Sequence, residues 1–305
     1  MNIIIGDSRL AFACAEASVA QGQATALVAK DNAILSNGPC VSRLLNNKAQ
    51  IVCCNIDMPQ LFQKLWRALN PTQPWNLLLT HRYLLRDNHP QISEMEKRNT
   101  TSTQALVVEG QKYRPQKVVM TCGMDIELTS PADGFQRHHQ TSLWARNYAA
   151  KSGIHLALMG DPLIPETPII SIVQAFIGLC VYFTLNPDEP VPFRDEFMAL
   201  AGPHFQTTLD SIGNALPDRR SFAYYEIFTT LSNALSAHQE DWVRFFLKHH
   251  LLVSLPDLAN RLITTLSQGS ACQSAVRLYA GNEEMNELTL EFNRTLIRTI
   301  FEPLN

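Results

Sequence analysis

The chain has 305 residues, of which 46% are hydrophobic and 17% are charged, and its formal net charge at pH 7 is −3. This composition is typical of a folded globular protein with one large domain or a core domain with an added lobe, and it argues against long disorder. A surface that binds nucleic acid usually shows an excess of basic residues, so the charge gives no reason to expect such a partner.

Seven cysteines are scattered along the chain, and no two of them form a C-x-x-C pair. This spacing argues against a disulfide framework and a thiolate zinc site, and it predicts a protein of the reducing cytoplasm. Four of the cysteines stand in apolar runs, where we expect small buried side chains. They are Cys14, Cys53, Cys54 and Cys122.

The longest apolar stretch, Ile169 to Leu185, is interrupted by Ser171 and Gln174, so we interpret it as part of a protein core and expect no membrane span. The N-terminus lacks the basic region of a signal peptide. No H-E-x-x-H, G-x-S-x-G or G-K-[ST] motif occurs in the chain. We therefore give little weight to metal catalysis, α/β-hydrolase chemistry or P-loop phosphoryl transfer, and we expect no metal site.

The first 31 residues have the pattern of a βαβ unit. An apolar run, Asn2 to Ile5, stops at Gly6, and an Ala-rich segment with helical spacing follows from Leu10 to Gln21. A second apolar run then ends at Lys30 and Asp31. Dinucleotide-binding domains begin with such a unit.

Strand and helix patterns continue to alternate after this unit. Strands are predicted at residues 2–5, 25–29, 50–54, 76–80, 117–121 and 154–159, and helices at 10–21, 58–69, 94–110 and 135–152. The alternation predicts an α/β fold with a doubly wound parallel Rossmann sheet in residues 1–165. Prolines and helical runs, including 222–237 and 240–252, predict a mainly helical substrate lobe in residues 166–305, with 251–283 returning to the core sheet.

Five segments, taken in order, are similar to motifs of the short-chain dehydrogenase/reductase superfamily, in its extended, epimerase- or thioester-reductase-like branch. They are Asn55-Ile56-Asp57, Arg98-Asn99-Thr100, Val118 to Cys122, Leu252 to Ala259 and Arg277 to Leu288. The resemblance implies a Rossmann fold that binds NAD(P) and, by family habit, a homodimer formed through the helices near 94–110 and 135–152.

The resemblance places a glycine-rich phosphate-binding turn directly after the first strand. Gly6 is kept, but the second and third glycines are replaced by Arg9 and Phe12, or by Ser8 and Ala11 if the turn is one residue shorter. Either pair narrows the space for a dinucleotide. Asp7 would add negative charge near the phosphates if its side chain pointed inward.

Basic residues stand where NADP-preferring relatives bind the ribose 2′-phosphate. Arg9 lies in the turn and Lys30 ends the second strand, so we expect NADP(H) to be preferred over NAD(H). Asp31 is a weaker indication of NAD, and a solvated loop position for both cations stays open, as does a flavin or another nucleotide. The resemblance adds three further cofactor contacts, namely Asn55, Ile56 and Thr80.

The Tyr-x-x-x-Lys pair of the superfamily is missing. Phe135 and His139 occupy its positions, and Tyr148 with Lys151 has the wrong spacing. Chemistry would then depend on other groups that the fold brings to the same edge of the sheet. The candidate catalytic residues are Thr121, Cys122, Asn99 and His139.

Together these patterns predict a divergent NAD(P)-dependent oxidoreductase. Its substrate would be a small hydroxy, carbonyl or thioester-bound molecule, and its role that of a tailoring enzyme in a specialised biosynthetic pathway. The alternative is a non-catalytic Rossmann-fold binding or scaffold protein, which the altered glycine turn and the missing Tyr and Lys both favour.

Overall fold

The computed structural model describes residues 1–56, 60–71, 74–80, 104–123, 155–159, 162–163, 168–185, 187–188, 190–215, 221–249, 251–267 and 275–278. Within these residues the chain forms an α/β fold around a seven-stranded sheet. Every strand pairing whose register is described is parallel. The predicted parallel α/β sheet is therefore confirmed.

Six of the seven strands of the sheet lie where apolar runs predict them, and no apolar run predicted the seventh, at residues 275–278. The seven strands are β1 (Asn2–Ile5), β2 (Thr25–Ala29), β3 (Gln50–Cys53), β4 (Asn76–Leu79), β5 (Lys117–Gly123), β6 (His155–Met159) and β9 (Ala275–Leu278), while β7 (Pro162–Leu163) and β8 (Val253–Ser254) form a separate parallel pair. Their order across the sheet is β3-β2-β1-β4-β5-β6-β9. β1 and β2 are buried along their whole length, as expected for central strands that are covered on both faces.

Eleven helices fall within the described residues. They are α1 (Arg9–Ala20), α2 (Asp31–Ser36), α3 (Gly38–Asn46), α4 (Leu61–Leu69), α5 (described over residues 104–111), α6 (Pro168–Leu185), α7 (Arg194–Ala201), α8 (Pro203–Ala215), α9 (Ser221–Ser236), α10 (Gln239–Lys248) and α11 (Leu255–Ser267). The sequence patterns did not predict α2 and α3. The helix predicted at 135–152 and the start of the one predicted at 94–110 lie outside the described residues.

Two helix ends differ from the prediction by three residues or more. The helix predicted from residue 58 begins at Leu61, because Gln60 has a left-handed backbone with φ of 60°. The helix predicted over 240–252 ends at Lys248. There the amide of Leu251 donates to the carbonyl of Phe246 at 2.9 Å, a bond that closes a helix and turns the chain away from it.

The chain divides into two compact units. The first comprises Met1–Cys122, Thr141–Met159 and Leu255–Leu278, and the second comprises Gly123–Gln140, Gly160–Ser254 and Tyr279–Asn305. In the first unit, α1 packs against α11 and α3. Pairing of β9 with β6 extends the sheet of that unit.

The second unit has an aromatic core built around α6. The ring of Phe176 lies 5.2 Å from that of Trp242 and 5.5 Å from that of Phe197, and Tyr182 and Phe193 are buried in the same cluster. The interpretation of the 169–185 stretch as core is therefore confirmed. Among the helices that the structure describes, none combines the length and the apolar character needed to cross a membrane.

A polar contact ties α7 to the end of α10 in this unit. Glu196 Oε2 lies 2.8 Å from Lys248 Nζ and 2.8 Å from His249 Nε2. The hydrogen bond from Lys248, followed by that from His249, lowers the pKa of Glu196. The imidazole also packs against the rings of Phe193 and Phe245.

The cysteines only partly match the expectation of burial. Cys14 is fully buried, and burial raises its pKa, whereas Cys54 is half-buried and Cys53 is exposed. The prediction that Cys53 is buried is wrong, because β3 is an edge strand of the sheet. The side chain of Cys122 lies outside the described residues.

Candidate functional site

The sheet changes direction at β1. From β1 the chain proceeds outward to β2 and β3 on one side, and then returns to β4 and β5 on the other. The connections that leave the carboxyl ends of β1 and β4 therefore diverge, and open α/β sheets bind their ligands at such a point. We call the surrounding residues, Gly6, Asp7, Ser8, Lys30 and Thr80, the switch-point site.

Gly6 is a glycine because of what packs against it. A Cβ at this position would lie 1.9 Å from Thr80 Oγ1 and 3.3 Å from the Cβ of Ala11. The first distance is far below any ordinary contact. Internal packing between β1, β4 and α1 thus accounts for this glycine without any ligand.

The start of α1 decides between the two registers of the turn. The helix begins at Arg9, with Ser8 as its N-cap residue, and Ala11 is the residue that faces Gly6. Gly6, Ser8 and Ala11 have the spacing G-x-G-x-x-G/A, in which the third small residue allows the helix to pack closely on the strand. The observed helix start therefore fits the register with Ser8 and Ala11 and not the register with Arg9 and Phe12.

Ser8 has an unused hydroxyl group. A serine at an N-cap normally accepts a hydrogen bond from an amide of the first helical turn, but Ser8 makes no such bond. Its Oγ is buried and has no hydrogen-bond partner among the residues that the structure describes. A buried hydroxyl without a partner is costly, and an acceptor atom brought to the start of α1 would remove that cost.

Asp7 binds Lys30 in two ways. Asp7 Oδ1 accepts a hydrogen bond from the backbone amide of Lys30 at 2.8 Å, and Asp7 Oδ2 lies 3.8 Å from Lys30 Nζ. The carboxylate is thereby held beside the end of β2. Arg9, the other cation from which a 2′-phosphate site is predicted, is exposed at the first position of α1.

The carboxylate of Asp31 follows the end of β2, and the thiols of Cys53 and Cys54 lie at the end of β3. Cys53 Sγ donates a hydrogen bond to Asp31 Oδ1, and this bond is the main reason that the pKa of Cys53 rises to about 11. Of the two predicted contacts that follow β3, Asn55 is exposed and Ile56 is buried. Burial leaves Ile56 inaccessible to a ligand at the surface, whereas Asn55 is accessible.

The two threonines of the prediction have internal partners. Thr80 is buried, and its Oγ1 donates to the carbonyl of Ile5 at 3.3 Å. Thr121 was expected at the end of its strand, but β5 continues to Gly123. Its side chain is fully buried, and its Oγ1 donates to the carbonyl of Leu79 at 3.4 Å.

The remaining catalytic candidates, Asn99 and His139, lie outside the described residues, as does the side chain of Cys122. In the part of the chain that is described, no three His, Cys, Asp or Glu side chains are grouped so that they could hold a metal ion.

No protein-family model and no curated protein matches this chain. The chemistry of the site is therefore inferred from its own residues.

The sequence patterns missed the pair formed by Asp7 and Lys30. The signal that could have found it is the parallel pairing of β1 with β2, in which Ile5 stands opposite Val28. Two residues further along each strand, that register brings Asp7 beside Lys30.

Proposed function

We propose that this chain binds a nicotinamide dinucleotide at the switch-point site and acts as a divergent, extended-type short-chain dehydrogenase/reductase. The observation that supports this most is the meeting of the α1 N-terminus with the point at which the strand order reverses. The first amides of a helix and its dipole favour an anion. The pyrophosphate of the dinucleotide would lie there, with Ser8 supplying a hydroxyl donor.

The residues of the turn fit this role in part. Gly6 and Ala11 let α1 pack closely on β1, and the missing partner of Ser8 Oγ is what a phosphate oxygen would provide. The Cβ of Ser8 limits how closely the pyrophosphate approaches, since relatives have glycine at this position. We therefore expect weaker binding than a full glycine motif gives.

The proposed reaction is the reduction or oxidation of a small hydroxy, carbonyl or thioester-bound substrate, for which the bound nicotinamide supplies or accepts the hydride. The protein supplies orientation and a proton relay. Because the Thr121 hydroxyl is bonded inside the sheet, we assign the proton relay to His139 and orientation of the substrate to Asn99.

The burial of Thr121 also favours a second candidate, a nucleotide-binding or scaffold protein without turnover. A catalytic hydroxyl has to reach the substrate, whereas Thr121 is 0% exposed. Both candidates predict nucleotide binding. They differ in whether carbonyl or thioester compounds oxidise the bound NADH or NADPH, and in whether His139→Ala lowers that rate.

Calorimetric titration with NADH and NADPH tests the shared part of the proposal. Ser8→Val places a branched side chain in the path of the pyrophosphate, while Ser8→Gly restores the glycine of the motif. Because Ser8 makes no capping bond, neither change removes a hydrogen bond from α1. We expect wild type and Ser8→Gly to bind saturably and Ser8→Val to bind at least about tenfold more weakly. Absence of binding of both nucleotides to wild type and to Ser8→Gly would refute the proposal.

A further inference from the structure

Three residues form a row just past the carboxyl ends of β1, β2 and β3. Ile5 pairs with Val28 across β1 and β2, and Ala29 pairs with Cys53 across β2 and β3. Continuing both registers places Asp7 beside Lys30, and Lys30 beside Cys54. In the proposed site, this row lies where the adenosine ribose of a dinucleotide is bound in doubly wound folds.

The charge of Lys30 is neutralised within this row. The Asp7 carboxylate is held by the Lys30 amide at 2.8 Å as well as by the ammonium group at 3.8 Å. The backbone bond keeps the carboxylate in place whichever way the lysine side chain turns. Both side chains are only partly exposed, at 23% for Asp7 and 32% for Lys30, so solvent screens the carboxylate incompletely.

The carboxylates of Asp7 and Asp31 both act on the thiol of Cys54, which follows β3. Burial is the largest cause that raises the pKa of Cys54, and the carboxylates of Asp7 and Asp31 raise it further, while Lys64 lowers it. Asp31 is kept close to this position by its bond with Cys53. Two carboxylates therefore act on the volume into which Arg9 and Lys30 were expected to attract a phosphate.

We propose that Asp7 is the residue that makes this site select a dinucleotide with a free ribose 2′-hydroxyl over one with a 2′-phosphate. A hydroxyl can donate a hydrogen bond to the Asp7 carboxylate, whereas a phosphate dianion is repelled by it. The site thus prefers NAD(H), although Arg9 and Lys30 alone predict NADP(H). This inference rests on the proposed function, since it concerns the same site.

The test compares NADH with NADPH, which differ only in the 2′-phosphate, by calorimetry on wild type and Asp7→Asn. Asparagine keeps an oxygen that can accept the Lys30 amide bond, and it replaces the second carboxylate oxygen by an uncharged NH2 group. We expect wild type to bind NADH more tightly, and Asp7→Asn to shift the ratio of the two affinities toward NADPH by about tenfold. Glu109→Gln is the matched control. Glu109 lies on α5, the helix that precedes the amino end of β5, whereas the site lies at the carboxyl ends of the strands, so this change should leave the affinity ratio unchanged.

Lys30→Gln is a second variant, which can be measured even if Asp7→Asn does not fold. Removing this cation should shift the ratio further toward NADH. If both nucleotides bind but Asp7→Asn does not shift the ratio toward NADPH, or if wild type prefers NADPH, the inference about Asp7 is wrong and the proposed function stands. If no variant and no wild-type sample binds either nucleotide, both the inference and the proposed function fail.

Discussion

Substitution of Gly6 by alanine should destabilise the protein through one identifiable contact. The new methyl group would lie 1.9 Å from Thr80 Oγ1 and 3.2 Å from the Cβ of Thr80, so the threonine has to move by more than about 1 Å to reach an ordinary contact distance. Overpacking of a core costs about 1–3 kcal/mol, and a contact this short belongs at the upper end. The backbone of Gly6 is not left-handed, so alanine can adopt it without strain. Alanine also lowers the conformational entropy of the unfolded chain, which stabilises the folded protein by about 0.4–1 kcal/mol. The net loss should be about 2 kcal/mol.

A double-mutant cycle in urea unfolding checks this value and its cause. Thr80→Ala removes the clashing oxygen, together with its bond to the Ile5 carbonyl at 3.3 Å, at a cost of about 0.5–1.5 kcal/mol. Gly6→Ala should then cost much less in the Thr80→Ala background than in wild type. Thr80→Val is the control, because a methyl group replaces the hydroxyl and the clash persists. A Gly6→Ala variant as stable as wild type, or a Thr80→Val change that relieves the destabilisation as well as Thr80→Ala does, would contradict a clash with Thr80.

Two further substitutions test contacts outside the turn. Glu196→Gln should lower the melting temperature at pH 7, because the bonds from Lys248 and His249 that lower the pKa of Glu196 stabilise its ionised form. That stabilisation is complete above the ordinary carboxyl pKa of 4.5 and is lost as the pH falls through the lowered pKa of Glu196. The difference in melting temperature between wild type and Glu196→Gln should therefore disappear in acid, and a difference that does not change with pH would contradict the role given to these bonds. Asp195→Asn is the control, because Asp195 is exposed in the same helical turn. Asp31→Asn should let the pKa of Cys53 fall from about 11, so that more of the thiol is ionised at pH 8. Because a less basic thiolate is also a weaker nucleophile, the alkylation rate of Cys53 should rise by only about tenfold. Peptide mapping of the labelled thiol would show this, and an unchanged rate would mean that the bond to Asp31 does not control Cys53.

The positions of β1 to β6 could be predicted because each is a short apolar run that stops at a glycine or a polar turn, whereas β9 contains Arg277 and was not predicted from such a run. The predictions were weaker where burial depends on the position of an element in the sheet. β3 has the same apolar character as its neighbours, but it is an edge strand, and Cys53 is exposed there. The helices α2 and α3 were missed because they bury little apolar surface, and Leu35 and Leu45 are exposed.

The site was predictable to the extent that it lies on consecutive residues. Gly6 and Ser8 could be proposed from the turn after the first strand, but the register of that turn depends on where α1 begins. The contact of Thr80 with Gly6 and the pair of Asp7 with Lys30 join residues that are far apart in the sequence. Such contacts follow from strand register, which composition and periodicity do not determine.

Hydrogen exchange measured by mass spectrometry, with and without saturating NADH, tests the central claim most directly. If the nucleotide binds at the switch-point site, amide exchange should slow in peptides that cover the β1–α1 turn and the first turn of α1, from Gly6 to Phe12. The amides of Gly6 and Ala11 already donate to the carbonyls of Val28 and Ser8, so protection by a bound phosphate should appear at the other amides of this segment. Protection confined to other parts of the chain, or none at saturation, would contradict the account.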